Sequence, residues 1–267
     1  MAKIGLVAGH GKITELFADA ARARGDTVVA FALKGTTQEE LAGHVDKIEW
    51  FKWGELHKAI LFAITQGVRK IVLLGKVKKD ILFKGDEGLD DETRSMLDKA
   101  KSRNDLSILT NIANILSKVG IEIIDSTEYL KDLIPDKSVL TNRKPSKDEL
   151  NDIEYAKEIA RQLAGLEIGQ AIAVKDKTIL AIEAVEGTDE TIKRAGSLSS
   201  VGFTVVKMAR PNQDMRFDVP LIGLDTLKVL IAAGGTALAL EAGKTLLIDR
   251  EEMIALADQN NISIIII

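Results

Sequence analysis

Along the first half of the chain, short apolar runs alternate with stretches whose apolar residues recur at helical spacing. Residues 3–8 predict a buried strand that closes on a glycine loop. Residues 13–24 predict a helix, 27–33 a second strand rich in Val, Ala and Phe, and 47–52 a third. A helix over 55–65 is stopped by Gly67, and a strand over 70–74 is stopped by Gly75. A long helical region over 89–119, broken near Ser102-Arg103-Asn104, precedes a strand at 121–124. Strands separated by helices of this length need right-handed crossovers, so this half predicts a mostly parallel, Rossmann-like sheet.

The pattern then lapses. Residues 136–152 hold Pro145, several Asn, Lys and Asp, and no hydrophobic period. The chain therefore divides into an N-terminal Rossmann-like α/β domain over 1–136, a linker over 137–151 and a C-terminal mixed α/β domain over 152–267. In the second domain, 152–163 predicts a helix. Residues 170–183 alternate around Lys175-Asp176-Lys177, a hairpin signal. Helices are expected at 188–195, 226–233 and 251–259, and strands at 203–208, 236–240, 245–248 and 262–267. The Thr188 hydroxyl is placed to cap the first of these helices.

Composition narrows the classes. A length of 267 residues with 46% hydrophobic residues is enough for a core in each domain. Net charge is -4 and no basic stripe is visible, which argues against a nucleic-acid binder. The absence of cysteine excludes disulfides and thiolate metal sites. Met1-Ala2-Lys3 runs straight into a strand pattern without a signal-peptide profile. No apolar run approaches the roughly 20 residues of a membrane span.

Three groups of residues carry candidate chemistry. The first is the loop Gly9-His10-Gly11, whose backbone amides, ahead of a helix, suit a phosphate. As a dinucleotide fingerprint it is incomplete: Thr14 stands where the third glycine belongs, and no acid follows the second strand to hold a ribose. A tight βα turn that binds nothing fits the same residues. The second is Gly75-Lys76, at the carboxyl end of a strand, where open α/β sheets gather ligands. A solvated loop lysine is the plain alternative. The third is a set of acids on strand-end loops: Glu183, Glu186, Asp189, Asp214 and Asp218. Carboxylates without His or Cys beside them suit Mg²⁺ or Mn²⁺. Ordinary surface acids are the alternative in a chain with 40 of them.

Several segments together resemble, nearly end to end, the I-type UDP-2,3-diacylglucosamine pyrophosphatases. They are the stretch from Gly5 to Gly11, Gly75-Lys76-Val77, Ile168-Gly169-Gln170, the stretch from Ala181 to Asp189, and the stretch from Lys207 to Pro220. The resemblance implies two domains with the substrate cleft between them. It implies metal-dependent hydrolysis that releases UMP and the diacylated glucosamine 1-phosphate, with water attacking the α-phosphorus. The family's essential acid, in Arg-x-Asp-x-Pro, falls on Asp218. Substrate contacts fall on Gly9, His10, Gly11, Gly75, Lys76, Gly169, Gln170, Gly187, Thr188, Lys207, Gln213 and Arg216. For the metal, Mg²⁺ or Mn²⁺, the acid set above offers Glu183, Glu186, Asp189 and Asp214. The chain departs from the family at His10 and Lys12, where Asn or Gly and Arg are usual, and over 83–94, which is unusually acidic. A cytoplasmic protein that touches the inner membrane reversibly follows from an amphiphilic substrate; a homodimer is left open. Two other readings compete: a nucleotide-dependent oxidoreductase, and a UDP-sugar or lipid-binding protein without catalysis.

Overall fold

The computed structural model describes residues 1–77, 89–98, 105–199 and 202–267. The break expected near residues 102–104 and residues 83–88 of the acidic stretch 83–94 lie outside the described residues. The chain forms two units. Unit 1 holds residues 1–130 together with 214–218; unit 2 holds 131–213 and 219–267.

In unit 1, β1 (Lys3–Ala8), β2 (Thr27–Leu33), β3 (Lys47–Phe51), β4 (Lys70–Leu74) and β5 (Glu122–Ile123) form one parallel sheet in the order β3-β2-β1-β4-β5. The helices α1 (Ile13–Ala23), α2 (Leu56–Thr65), α3 (Asp91–Asp98) and α4 (Asp105–Lys118) supply the crossovers. β2 is buried over five consecutive residues, from Val28 to Ala32, as a strand covered on both faces must be. α1 buries Ile13, Thr14, Phe17, Ala18 and Ala21, one stripe of the helix. β1 is the switch point of the sheet: its own crossover leads to β2, and the crossover from β3 returns to β4 on its other side.

Unit 2 is built on a six-stranded mixed sheet. Its strands are β6 (Ser138–Val139), β7 (Ala171–Lys175), β8 (Thr178–Ile182), β9 (Phe203–Lys207), β11 (Gly235–Leu240) and β13 (Ser263–Ile266). They run in the order β6-β13-β11-β9-β7-β8, with β9, β11 and β13 parallel. A small parallel pair joins β10 (Leu221–Ile222) to β12 (Leu246–Leu247). Strand alternation sorts the side chains between two cores. Ile172, Val174, Val206 and Ala239 meet Ile153, Ala156 and Ala160 of α5 (Lys147–Gly165) on one face. Ala173, Val205, Leu238 and Leu240 face the other way. There they meet Ile192 of α6 (Thr188–Leu198), Leu227 of α7 (Leu224–Ala232) and Met253 of α8 (Arg250–Gln259).

The stretch 137–151 is more structured than its composition predicts. β6 pairs antiparallel with β13, and α5 begins at Lys147 rather than at 152. The start is set by a capping box: the Ser146 hydroxyl accepts from the Glu149 amide, and the Glu149 carboxylate accepts from the Ser146 amide. Five residues later, Asp152 is buried and accepts the amides of Asp176 and Lys177 at 3.0 and 2.6 Å. Those residues, at φ 49° and 57°, form the two-residue turn of the β7–β8 hairpin.

Candidate functional site

The glycine loop of unit 1 is built for contact with its own chain. The Gly9 amide donates to Leu74 O at 2.7 Å, and His10 and Lys76 exchange backbone hydrogen bonds at 2.8 Å each. A Cβ on Gly9 would stand 2.7 Å from the Gly75 carbonyl carbon, and one on Gly75 2.8 Å from that of Gly9. The two glycines are therefore explained by the approach of one βα loop to the other. The Gly11 amide donates to Gln38 Oε1 at 3.0 Å. The amides of all three loop residues are thus occupied, and they form no ready phosphate cradle. What this sheet edge offers solvent is the exposed side chains of His10 and Lys76. Gln38 was not legible as a loop partner, because its donor lies 27 residues upstream.

Unit 2 gathers a different set at the start of α6. The last residue of β9, Lys207, is 7% exposed. Its ammonium donates to Thr188 Oγ1 at 2.8 Å, its one hydrogen-bond partner among the described residues. The Thr188 hydroxyl donates to Glu183 Oε1 at 2.9 Å, and Glu183 Oε2 accepts the Gln170 amide at 3.1 Å. Thr188 is the first residue of α6, and no side chain caps that helix. Gly187, at φ 85°, makes the left-handed turn into it. Gly169 has a packing role: a Cβ there would lie 2.0 Å from the Glu183 carbonyl oxygen. Lys207, Thr188, Glu183, Gly187, Gly169 and Gln170, singled out in sequence from three separate segments, thus stand together. A buried ammonium joined only to a hydroxyl, beside uncapped helical amides, is an arrangement that receives an anion.

The other acids are committed elsewhere. Glu186 pairs with Arg194 at 2.8 Å, and Asp189 accepts from Thr226 Oγ1 at 2.7 Å, tying α6 to α7. Asp214 lies in unit 1 and is forked by Arg216, Nε to Oδ1 at 3.0 Å and Nη2 to Oδ2 at 2.7 Å. The Arg216 guanidinium holds the Asp214 carboxyl below the usual carboxylate range. Arg216 likewise faces an acid of its own turn. Gln213 Oε1 accepts the Arg210 amide at 3.1 Å. Among the described residues no three His, Asp or Glu side chains gather as a metal-holding group. Glu186, Asp189 and Asp214 thus each have a protein partner within their own unit. Asp218 is half-buried, and its amide donates to Asp214 O at 3.2 Å.

Comparison with known proteins gives a consistent result across the chain. A family model described as the LpxI N-terminal domain matches residues 3–133, and one described as the LpxI C-terminal domain matches 136–265. A relative from Caulobacter vibrioides, named UDP-2,3-diacylglucosamine pyrophosphatase LpxI, is 28% identical over 97% of this chain and 95% of its own. Among solved structures, a biotin carboxylase complex from Campylobacter jejuni aligns at a TM-score of 0.29 and 12% identity, over 74% of this chain and 42% of that one. An N5-carboxyaminoimidazole synthetase from Staphylococcus aureus aligns at 0.28 and 14%, over 65% and 32%. This chain spans less than half of either, and likeness at that level carries no argument.

Proposed function

The chain belongs to the LpxI family, and from that membership we propose that it hydrolyses the pyrophosphate bond of UDP-2,3-diacylglucosamine. Water adds to the α-phosphorus, the bond from that phosphorus to the bridging oxygen breaks, and UMP and 2,3-diacylglucosamine 1-phosphate leave. The observation that carries the reading is the Lys207 ammonium, 7% exposed and joined to Thr188 alone among the described residues. A phosphoryl oxygen would complete its charge, and phosphoryl transfer asks chiefly for such positioning and neutralisation. Glu183 serves this group indirectly: by accepting the Thr188 proton it turns the hydroxyl's lone pair toward Lys207. Asp218 is proposed to orient and deprotonate the attacking water.

Magnesium or manganese is proposed as a companion of the substrate. Mg²⁺ commonly binds through phosphate oxygens, several waters and one or two carboxylates. The ion then enters with the substrate's phosphates. The substrate's acyl chains imply work at a membrane surface. No helix among the described residues is long and apolar enough to cross one, so reversible contact from the cytoplasmic side is the proposed arrangement.

The test is turnover in H₂¹⁸O. The label is expected in UMP, and Asp218→Asn is expected to cut the rate at least about 10²-fold. Label in the sugar phosphate would refute attack at the α-phosphorus, and absence of turnover would refute the function.

A further inference from the structure

Residues 214–218 are flanked in sequence on both sides by unit 2, yet they belong to unit 1. The chain leaves one unit at Gln213 and re-enters it at Val219. Five residues suffice for this because they form a closed turn. The amides of Phe217 and Asp218 both donate to Asp214 O, at 3.1 and 3.2 Å. The Asp214 carboxylate accepts the Arg216 amide at 3.1 Å and is forked by the Arg216 guanidinium. That guanidinium lies 5.0 Å from the centre of the Phe217 ring. Phe217 itself packs against the apolar cluster of the parallel sheet, which includes Val29, Phe31, Phe51, Ile60 and Ile71.

We propose that Phe217 is a positioning residue that pins Asp218 in unit 1, and that Asp214 is the clamp of this turn. The inference rests on the reading of Asp218 as the acid that serves water. A carboxylate one residue beyond an aromatic ring seated in a core cluster cannot drift while the ring stays. A carboxylate on a free loop has no such constraint, and a displacement of about 1 Å at a reacting group costs about 10²-fold in rate. Asp214 and Arg216 set the curvature of the turn, so their pairing serves geometry rather than a cation.

The full-length protein tests this with Phe217→Ala, Phe217→Leu and Asp218→Asn side by side. Two readouts are taken: steady-state kinetics on UDP-2,3-diacylglucosamine, and the rate of tryptic cleavage after Arg216. Phe217→Ala is expected to lower kcat about 10²-fold with KM within roughly threefold, and to speed cleavage at least about tenfold, because proteolysis follows the open population. Phe217→Leu, which keeps an apolar side chain, is expected to recover most of both. A normal kcat in Phe217→Ala, or an unchanged cleavage rate, overturns the pin. If Asp218→Asn is inactive while Phe217→Ala is normal, the pin alone fails; if Asp218→Asn turns over normally, the reading beneath it fails. Should Phe217→Ala not fold, Phe217→Val takes its place, with intermediate losses in both readouts as the supporting result and wild-type values as the overturning one.

Discussion

The Lys207 ammonium, at 7% exposure, meets the Thr188 hydroxyl and, among the described residues, no carboxylate. Removing this charge separates function from stability. Lys207→Met keeps the volume and drops the charge. The variant is expected to lose at least about 10²-fold in kcat/KM while its thermal midpoint does not fall. Kinetics and a melting curve on the same preparation check this, and a clear drop in both would make Lys207 a packing residue. Sequence spacing alone would not have chosen Lys207 from 36 basic residues; the family resemblance of its segment did. The pattern of strand-end acids put Asp214 among the candidate metal ligands. An acid two residues before an arginine reads equally as a ligand or as a turn clamp until the fork at 2.7 Å is seen. For the glycines at 9, 75 and 169 the residue type was legible, but its cause was not. The backbone that each one admits comes from a distant segment.

At the level of elements, most strands and helices were written in their hydrophobic period. The exception was 137–151, where the signal was polar. The Ser146–Glu149 capping box was present in the sequence, but the helix it starts carries charged residues through its first turn. Glu149 also makes this start sensitive to acid. Burial works to raise its carboxyl, but the Arg143 guanidinium, the Ser146 amide and Thr236 outweigh it, so the group sits below the usual range. As pH falls, the unfolded chain therefore takes up this proton first. The contribution is whole above the ordinary glutamate value of about 4.3 and is lost as pH drops through the lower folded value. Urea midpoints measured from about pH 6 to about pH 3 should fall less steeply in Glu149→Gln than in the parent chain. Parallel slopes would assign the acid sensitivity to other groups.

Across the whole molecule, the two-part α/β organisation was legible, since a parallel sheet and a mixed sheet have different strand patterns. The membership of residues 214–218 was not, because nothing in a local pattern marks a turn that packs against strands some 150 residues earlier. The whole molecule is also where a resident metal would show itself. An ion held by the native state alone raises its melting point. With no assembled acid set among the described residues, dialysis against EDTA is expected to leave the melting curve unchanged. Turnover should then rise with Mg²⁺ as the pyrophosphate substrate takes up the ion. A drop of several degrees on chelation would place an ion in the resting protein.

The seating of Phe217 has a consequence for anyone who would take the chain apart. The family's two halves meet between residues 133 and 136, an inviting place to cut. A fragment ending there would carry every strand of the parallel sheet and still lack one aromatic ring of its own interior. It would expose the apolar patch that this ring covers and be prone to self-association through it. A synthetic peptide spanning 210–220, added in trans, is the missing part. The boundary between the two family matches thus leaves residues 214–218 of the parallel-sheet unit on its far side.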